Sequence, residues 1–463
     1  MKNQRVQRIR PGACLRQEMD VVVAGGGPAG VAAAIAAARA GARVTLLENA
    51  SCFGGMATSG LVPAFNPFSN GQRQVVKGIG WEVVTRLRKR GSALMKEDPL
   101  PREIPKYDWV RLDAEKLKGV LDEMVTEAGV TARLFTQVTE PVVRAGRIVA
   151  VRTWSKSGEE EWRAPVFVDA TGDADVAARA GCPFEQGDEN GLMQSTTLCF
   201  VIAGLDPAAG RLLDSRARVP LLKAATEAGK LSGRHDHHYC ISATQADYTA
   251  VGLNYKHQLD TDATSAASLT AAMIEGRRMA HELCAFLRKE VQGCAGAFVA
   301  ATAPLLGVRE TRRIVGEYRL DLEHFMALRK GPEDIADYAN ELDVHVTGKS
   351  KADLAKRMFK EHNTFLPVGN HYGIPYGALI PKGVANLLVV GRAISCDRKM
   401  HGSVRVMPCC FATGQAAGVA ARLAARGNGA VREVDIRKLQ QGLLEQGAFL
   451  DLPRQSRTRK VSL

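Results

Sequence analysis

The chain has 463 residues, 46% hydrophobic and 24% charged, with ten cysteines and a formal net charge of +13. That is ample chain for two or three domains, and the composition excludes a disordered, collagenous or small disulfide-framed protein. The positive charge is scattered, clustering only at the ends (Arg5, Arg8, Arg10 and Arg16; Arg454, Arg457, Arg459 and Lys460), so no basic stripe with interleaved aromatics argues for nucleic acid. No CxxC spacing occurs, residues 1–20 lack the apolar centre of a secretory signal, and no apolar run nears the ~18 residues of a membrane span. A cytoplasmic protein with reduced thiols, away from membranes, is the expectation.

The densest pattern comes first, DVVVAGGGPAGVAAAIAAARAGARVTLLE at 20–48. Val21–Ala24 is a short apolar run of the kind that makes a buried parallel strand. Gly25, Gly27 and Gly30 follow in GxGxxG spacing, and then an alanine-rich helix over 28–40, stopped by Gly41. A second apolar run, 43–47, ends in Glu48. In such a unit Gly25 makes the tight turn, Gly27 lets a pyrophosphate reach the backbone, and Gly30 lets helix press on strand. The helix N-terminus offers N–H groups and positive dipole to the anion, and Glu48 can accept from a ribose diol. Next, the diglycine Gly54–Gly55 lets the main chain run close beside a long ligand.

Residues 63–130 read as mostly helical. Candidate helices are 81–89 and 113–128, the second with Asp113 as N-cap, an apolar face of Leu117, Val120, Leu121 and Met124, and Gly129 as stop. Between them 98–105 is Pro-rich and reads as loop. Residues 131–170 are β-branched runs separated by turn signals, with a hairpin marked at 155–158 and a last strand, Val166–Asp169, running into ATGDADV. The stretch 183–383 is the least periodic, with a long helix over 263–291 and sheet-like pieces at 195–201 and 250–255. The opening style then returns: a strand over 386–390, Gly391–Arg392, HGSVRVMP, and a small-residue helix over 408–424 with proline at its first turn. From Arg426 a short helix and polar end are expected.

This order makes the nucleotide-binding domain discontinuous: 17–62, 131–182 and 384–425, with 63–130 and 183–383 forming a substrate or cap domain and 426–463 a C-terminal helix and tail. The motifs VVVAGGGPAG (21–30), LLENASCFGGMATSGLVP (46–63), VDATGDADVAARAG (168–181), LLGVRETRRIVGEY (305–318), IPYGALIP (374–381) and NLLVVGRAISCDRKMHGSVRVMPCCFATGQAAGVAA (386–421) resemble those of the bacterial FAD-dependent oxidoreductases. That family is related to the heterodisulfide reductase flavin subunit. The resemblance implies an α/β fold, with a Rossmann-like FAD-binding domain of the glutathione-reductase-like superfold and an inserted α+β substrate domain. It implies that Gly25, Gly27, Pro28, Ala29 and Gly30 hold the FAD pyrophosphate, Glu48 the AMP ribose, and Val138 the adenine. Gly54, Gly55 and Met56 would run past the flavin, and Thr171, Gly172 and Asp173 would close the site. Gly391 and Arg392 would reach the ribityl side, and the 404–408 segment, with Arg405 and Val406, the flavin pyrimidine. A helix N-terminus there suits the negative charge of a reduced flavin.

Departures narrow the chemistry. Only Cys52 stands near the diglycine, so the CxxxxC of disulfide reductases is absent. There is no iron–sulfur cysteine run, no second GxGxxG between 183 and 383 for nicotinamide, and TGDAD stands where aromatic hydroxylases carry DGxxS. No histidine lies near Gly54–Gly55, so the FAD is expected to be noncovalent. His401 and Arg405 are the candidate catalytic pair, as base and anion clamp; Arg405 binding the FAD and His401 packing fit the sequence equally. Arg309, Glu310, Arg312 and Arg313 read as an internal salt-bridge cluster, Tyr376 as either a phenol donor or core, and Cys409–Cys410 as buried thiols, with a vicinal disulfide as the alternative. Arg234, His235, Asp236, His237 and His238 read as a solvated loop, and no metal site is expected. The function expected is hydride transfer between FAD and a small organic substrate, anions among the candidates, with a separate electron donor or acceptor. A flavin monooxygenase and an FAD-holding RNA-modification or binding protein are the alternatives. Nothing in the sequence bears on oligomeric state.

Overall fold

The computed structural model describes residues 15–91, 110–232, 240–345 and 366–452. The loop expected at 98–105, the histidines at 235–238 and most of the basic termini lie outside them. A five-stranded, all-parallel sheet forms the centre, in the order Leu387–Val389, Val166–Asp169, Val21–Ala24, Val44–Leu47, Thr131–Arg133. All but the edge strand Thr131–Arg133 are buried on both faces, as parallel strands are when covered on each side. Val21 and Val23 face the helical core, and Val22 and Ala24 face the opposite one.

The helical face is made by the opening helix, Pro28–Arg39, lying against the closing helix, Met407–Ala425. Both are rich in alanine and glycine where they meet. A Cβ on Gly414 or Gly418 would overlap the carbonyls of Ala29 and Ala33, so the two backbones touch. The other face is covered by a four-stranded sheet: Leu15–Glu18, Gly158–Arg163, Arg147–Ser155 and Gln137–Arg144. The expected hairpin closes there, with Ser155 opposite Gly158. The edge strand Leu15–Glu18 was hidden in the basic N-terminal stretch, whose charges give no strand alternation.

A second unit has its own core. Strands Cys240–Ala243, Ala250–Asn254, Phe200–Ala203 and Phe298–Thr302 form an antiparallel sheet, with helices Pro207–Asp214, Arg218–Glu227 and Ala266–Glu290 contributing to that core. This corrects the domain boundaries read from the sequence. Helix Gly78–Lys89 and helix Ala114–Glu127, expected in the substrate or cap domain, pack into the main core instead. Their apolar faces, Val83, Val84 and Leu87 with Leu117, Val120, Leu121 and Met124, join Val21 and Ala32 in the main core. The pair Asp334–Tyr338 and Tyr372–Pro375 belongs to that core too, as do Leu439 and Leu443 of helix Ile436–Glu445, so the C-terminal region is partly core. Periodicity shows that a helix has an apolar face; it does not say which sheet that face meets. Local signals held: Asp113 caps its helix by accepting from Glu115 N and Lys116 N at 3.0 and 3.2 Å, and Gly41 and Gly129 take the positive φ expected of helix stops. Among the described residues no helix is long and apolar enough to cross a membrane.

One buried acid makes stability pH-dependent. Asp337 is 2% exposed, and burial pushes its pKa up to about 7 against the pull of the Asp451 backbone and Lys330. The unfolded chain releases this proton above about pH 4 while the folded chain keeps it, so stability falls as pH rises from about 4 towards 7. Asp337→Asn, which retains an acceptor for Asp451 N, should therefore stabilise the protein more at pH 8 than at pH 5, by on the order of 2–4 kcal/mol, in thermal or urea unfolding.

Candidate active site

A cavity of about 1510 Å3 runs from the glycine turn to the second unit. At one end it is lined by Gly25, Gly27, Pro28, Ala29, Glu48, Gly55, Met56, Val138, Thr171, Gly172 and Asp173, and further along by Gly391, Arg392, Arg405 and Val406. Residues from separate stretches of sequence thus meet on one surface. Gly30 and Gly54 support the surface from behind. A Cβ on Gly30 would overlap the Gly25 carbonyl, and one on Gly54 would lie within 3 Å of Thr58 and Leu121. Gly25 has φ +100 and backs onto the Ala170 carbonyl, a conformation and a closeness that only glycine allows. Gly27 differs: a Cβ there meets nothing within 4 Å. It is the N-cap of the opening helix, so that open space lies where the helix N-terminus favours an anion.

Glu48 is fixed by two backbone donors, Gly26 N at 2.6 Å and Ala50 N at 2.7 Å, one on each carboxylate oxygen. Each oxygen keeps a lone pair for a ribose hydroxyl. The 171–173 turn is held by buried Asp169, which accepts from Thr171 N and Oγ1 at 3.1 and 2.7 Å and from Ala177 N at 2.9 Å. Asp173 pairs with Arg392 at 2.6 Å. Arg392 and Arg405 bring two guanidinium groups to the cavity wall. Open glycine cradle, ribose acceptor and cationic wall together fit the anionic flavin dinucleotide.

The sequence pattern of the FAD dependent oxidoreductase family matches residues 20–443. The chain belongs to this family. It is an enzyme family that uses FAD. Among solved structures, a geranylgeranyl bacteriochlorophyll reductase-like protein from Thermoplasma acidophilum is 11% identical, with 94% of this chain and 84% of that one covered and a TM-score of 0.47. The p-nitrophenol 4-monooxygenase of Pseudomonas putida is 14% identical, covering 93% and 85%, with a TM-score of 0.41. A myxobacterial chondrochloren halogenase is 14% identical, covering 93% and 79%, with a TM-score of 0.41. No curated protein matches in sequence.

The candidate catalytic pair separates. HGSVR lies in and just after a short helix, Arg398–Val404, capped by Asp397, where the sequence reading had assigned no element. Arg405 lines the cavity and pairs with Asp343 at 2.7 Å. His401 does not line the cavity. It is fully buried; its Nε2 donates to the Arg392 carbonyl at 2.9 Å, and its Nδ1 accepts from Gln194 Nε2 at 3.2 Å. Burial, with the charges of Arg313 and Arg405, pushes this imidazole well below its ordinary pKa, so it is neutral with both ring nitrogens engaged.

Both residues lead to a segment the sequence reading passed over. Gln194 Oε1 accepts from His345 N at 3.0 Å, and Asp343 receives the His345 imidazole at 3.2 Å. The His257 ring stands edge-on to His345 with centroids 4.7 Å apart, and its Nε2 lies 3.1 Å from Arg309 Nη2. Burial opposes ionisation of Asp343, but His345, Arg405 and Arg309 outweigh it and hold the carboxyl well below the usual range. Burial and then the Arg309 charge push His345 well below its ordinary value. Asp343 and His345 have no motif around them, and His257 lies on another stretch; only the fold brings them together.

The remaining candidates settle. Glu310 pairs with Arg313 and Arg398, and Arg312 with Asp175, as the salt-bridge reading expects, while Arg309 turns to the cavity wall. Tyr376 is core, its hydroxyl donating to the Val431 carbonyl at 2.9 Å. Cys409 and Cys410 are buried free thiols.

Gly27→Val should keep the fold by circular dichroism yet lose FAD, seen as colourless protein, because the side chain fills the open cradle. Gly30→Ala should lose both FAD and stability, since it forces helix from turn.

Proposed function

We propose that the protein is a dehydrogenase-type flavoenzyme that moves a hydride between noncovalent FAD and a small organic substrate. The observation that carries this reading is one continuous cavity joining the glycine cradle to a wall bearing His345, Arg309 and Arg405. Its volume, about 1510 Å3, exceeds the roughly 300–1,000 Å3 of a single-ligand site, leaving room for a substrate beside the cofactor.

FAD, when bound, supplies the two-electron hydride acceptor or donor. The chain's own residues manage position and proton. His345 donates Nε2–H to Asp343. In the oxidising direction the imidazole takes the proton from a substrate hydroxyl or amine as the carbon-bound hydrogen leaves as hydride. The imidazolium so formed is stabilised by the Asp343 carboxylate, itself held by Arg405. His401 acts as a positioning residue, through Gln194 and the His345 backbone.

The test is anaerobic reduction of the purified yellow protein across a panel of hydroxy and amino compounds. At least one should bleach the flavin in stoichiometric amount, whereas NADH and NADPH should do so slowly. Rapid bleaching by a nicotinamide alone would move the reading to a monooxygenase.

His345→Asn should keep its flavin and lose about 10²–10⁴-fold in kcat. Because the imidazole must be neutral to act and its pKa is depressed, the acid limb of the rate profile should lie below the ordinary histidine range. Asp343→Asn removes the charge that favours the imidazolium, so that limb should move lower still.

A further inference from the structure

We propose that Asn340 holds the imide edge of the flavin ring, its carboxamide meeting the N3–H and O4 of the cofactor in two parallel hydrogen bonds. The inference rests on FAD binding and not on the hydride step. Asn340 is 4% exposed and lines the cavity. Its backbone carbonyl accepts from Ser403 Oγ at 2.7 Å, but among the described residues no hydrogen bond engages its side chain. Neither amide atom is sealed behind protein, so both open onto the cavity. Gln194, Asn386 and Gln415, also buried, are engaged at both ends of their amides. Gln194 lies between His401 Nδ1 and His345 N, Asn386 between Ile148 N and the carbonyls of Ile148 and Pro165, and Gln415 between Ile79 N and the Gln446 carbonyl. A buried carboxamide is costly without partners, so one kept open towards a cavity calls for a ligand.

The amide itself says what that ligand presents. Nδ2 donates and Oδ1 accepts, side by side, so the complement is an acceptor beside a donor. A phosphodiester has no donor, and a hydroxyl is a single oxygen that cannot span both. An amide or imide edge meets both at once, as asparagine meets the paired donor and acceptor of an adenine edge. FAD carries two such edges, on adenine and on the flavin pyrimidine, and position chooses between them. Glu48, the acceptor for a ribose diol, marks the adenosine end. Asn340 stands instead with the start of the closing helix: Ser403 bonds its carbonyl, and Asp343, three residues on, pairs with Arg405 at 2.7 Å. Val406, N-cap of that 19-residue helix, has no side-chain cap and lines the cavity with Arg405 and Met407. An uncapped helix end favours electron-rich groups such as imide carbonyls, and the amide adds the donor–acceptor pair that fixes the ring's rotation.

The experiment compares FAD with 3-methyl-FAD, whose N3 carries no hydrogen, by fluorescence titration of the full chain stripped of flavin. Wild type should bind FAD at least about tenfold tighter than the methylated form. Asn340→Ala should weaken FAD about tenfold, lose that preference and shift the absorbance maxima of the bound flavin. Asn340→Asp keeps the shape but sets a charged acceptor against O4, so it should weaken FAD at least as much, and it carries the test where Asn340→Ala does not fold. Equal binding of the two flavins by wild type overturns the proposal. So does an undiminished preference in folded Asn340→Ala, or wild-type affinity for FAD in folded Asn340→Asp. Variants that hold both flavins as wild type does, yet lose bleaching by a substrate, give the amide to the substrate and overturn it too. Wild-type protein that takes up neither flavin overturns the FAD reading itself, a separate result.

Discussion

The rest of the structure depends on the contact between the opening and closing helices. Gly414 and Gly418 let their helix touch the backbone of Ala29 and Ala33, and no larger residue fits there. The approach fixes more than packing. It sets the start of the closing helix, with Arg405 and Val406 just before it, beside the glycine turn at the start of the opening one. Two helix N-termini, each with unsatisfied N–H groups, then border one cavity. Gly391, with φ +76, lies against the Ala29 side chain and brings Arg392 onto the same wall.

Behind that wall runs a buried polar network. From the Arg392 carbonyl it passes through His401 and Gln194 to the His345 backbone; a second branch joins Arg405 through Asp343 to the His345 ring. Buried groups of this kind are costly unless every partner is present, so the network sets the Arg392 turn and His345 in one arrangement. It also separates His401 from Arg405, four residues apart: one is enclosed, the other faces the cavity.

The second unit, with its separate core, supplies the far wall. Arg309 is anchored to Ser195 and Thr197 on this side, while the glycine cradle rests on the parallel sheet. The cavity thus runs between residues of two cores, a common place for a ligand site.

The sequence by itself determined the parallel unit from Asp20 to Glu48, the caps at Asp113 and Gly129 and the two small-residue helices. Those features are local: strand period, glycine spacing and capping chemistry are written within a few residues of where they act. It left the partition of 63–130 open to misreading, because an amphipathic face looks the same whichever sheet it meets. Only the tertiary structure decided that His401 is sealed away, that Arg405 reaches Asp343, and that His257 touches both Arg309 and His345. Their relation is a distance in space between stretches far apart in the chain, and no periodicity records it. It follows from how closely two glycine-bearing helices approach and where the second core then settles.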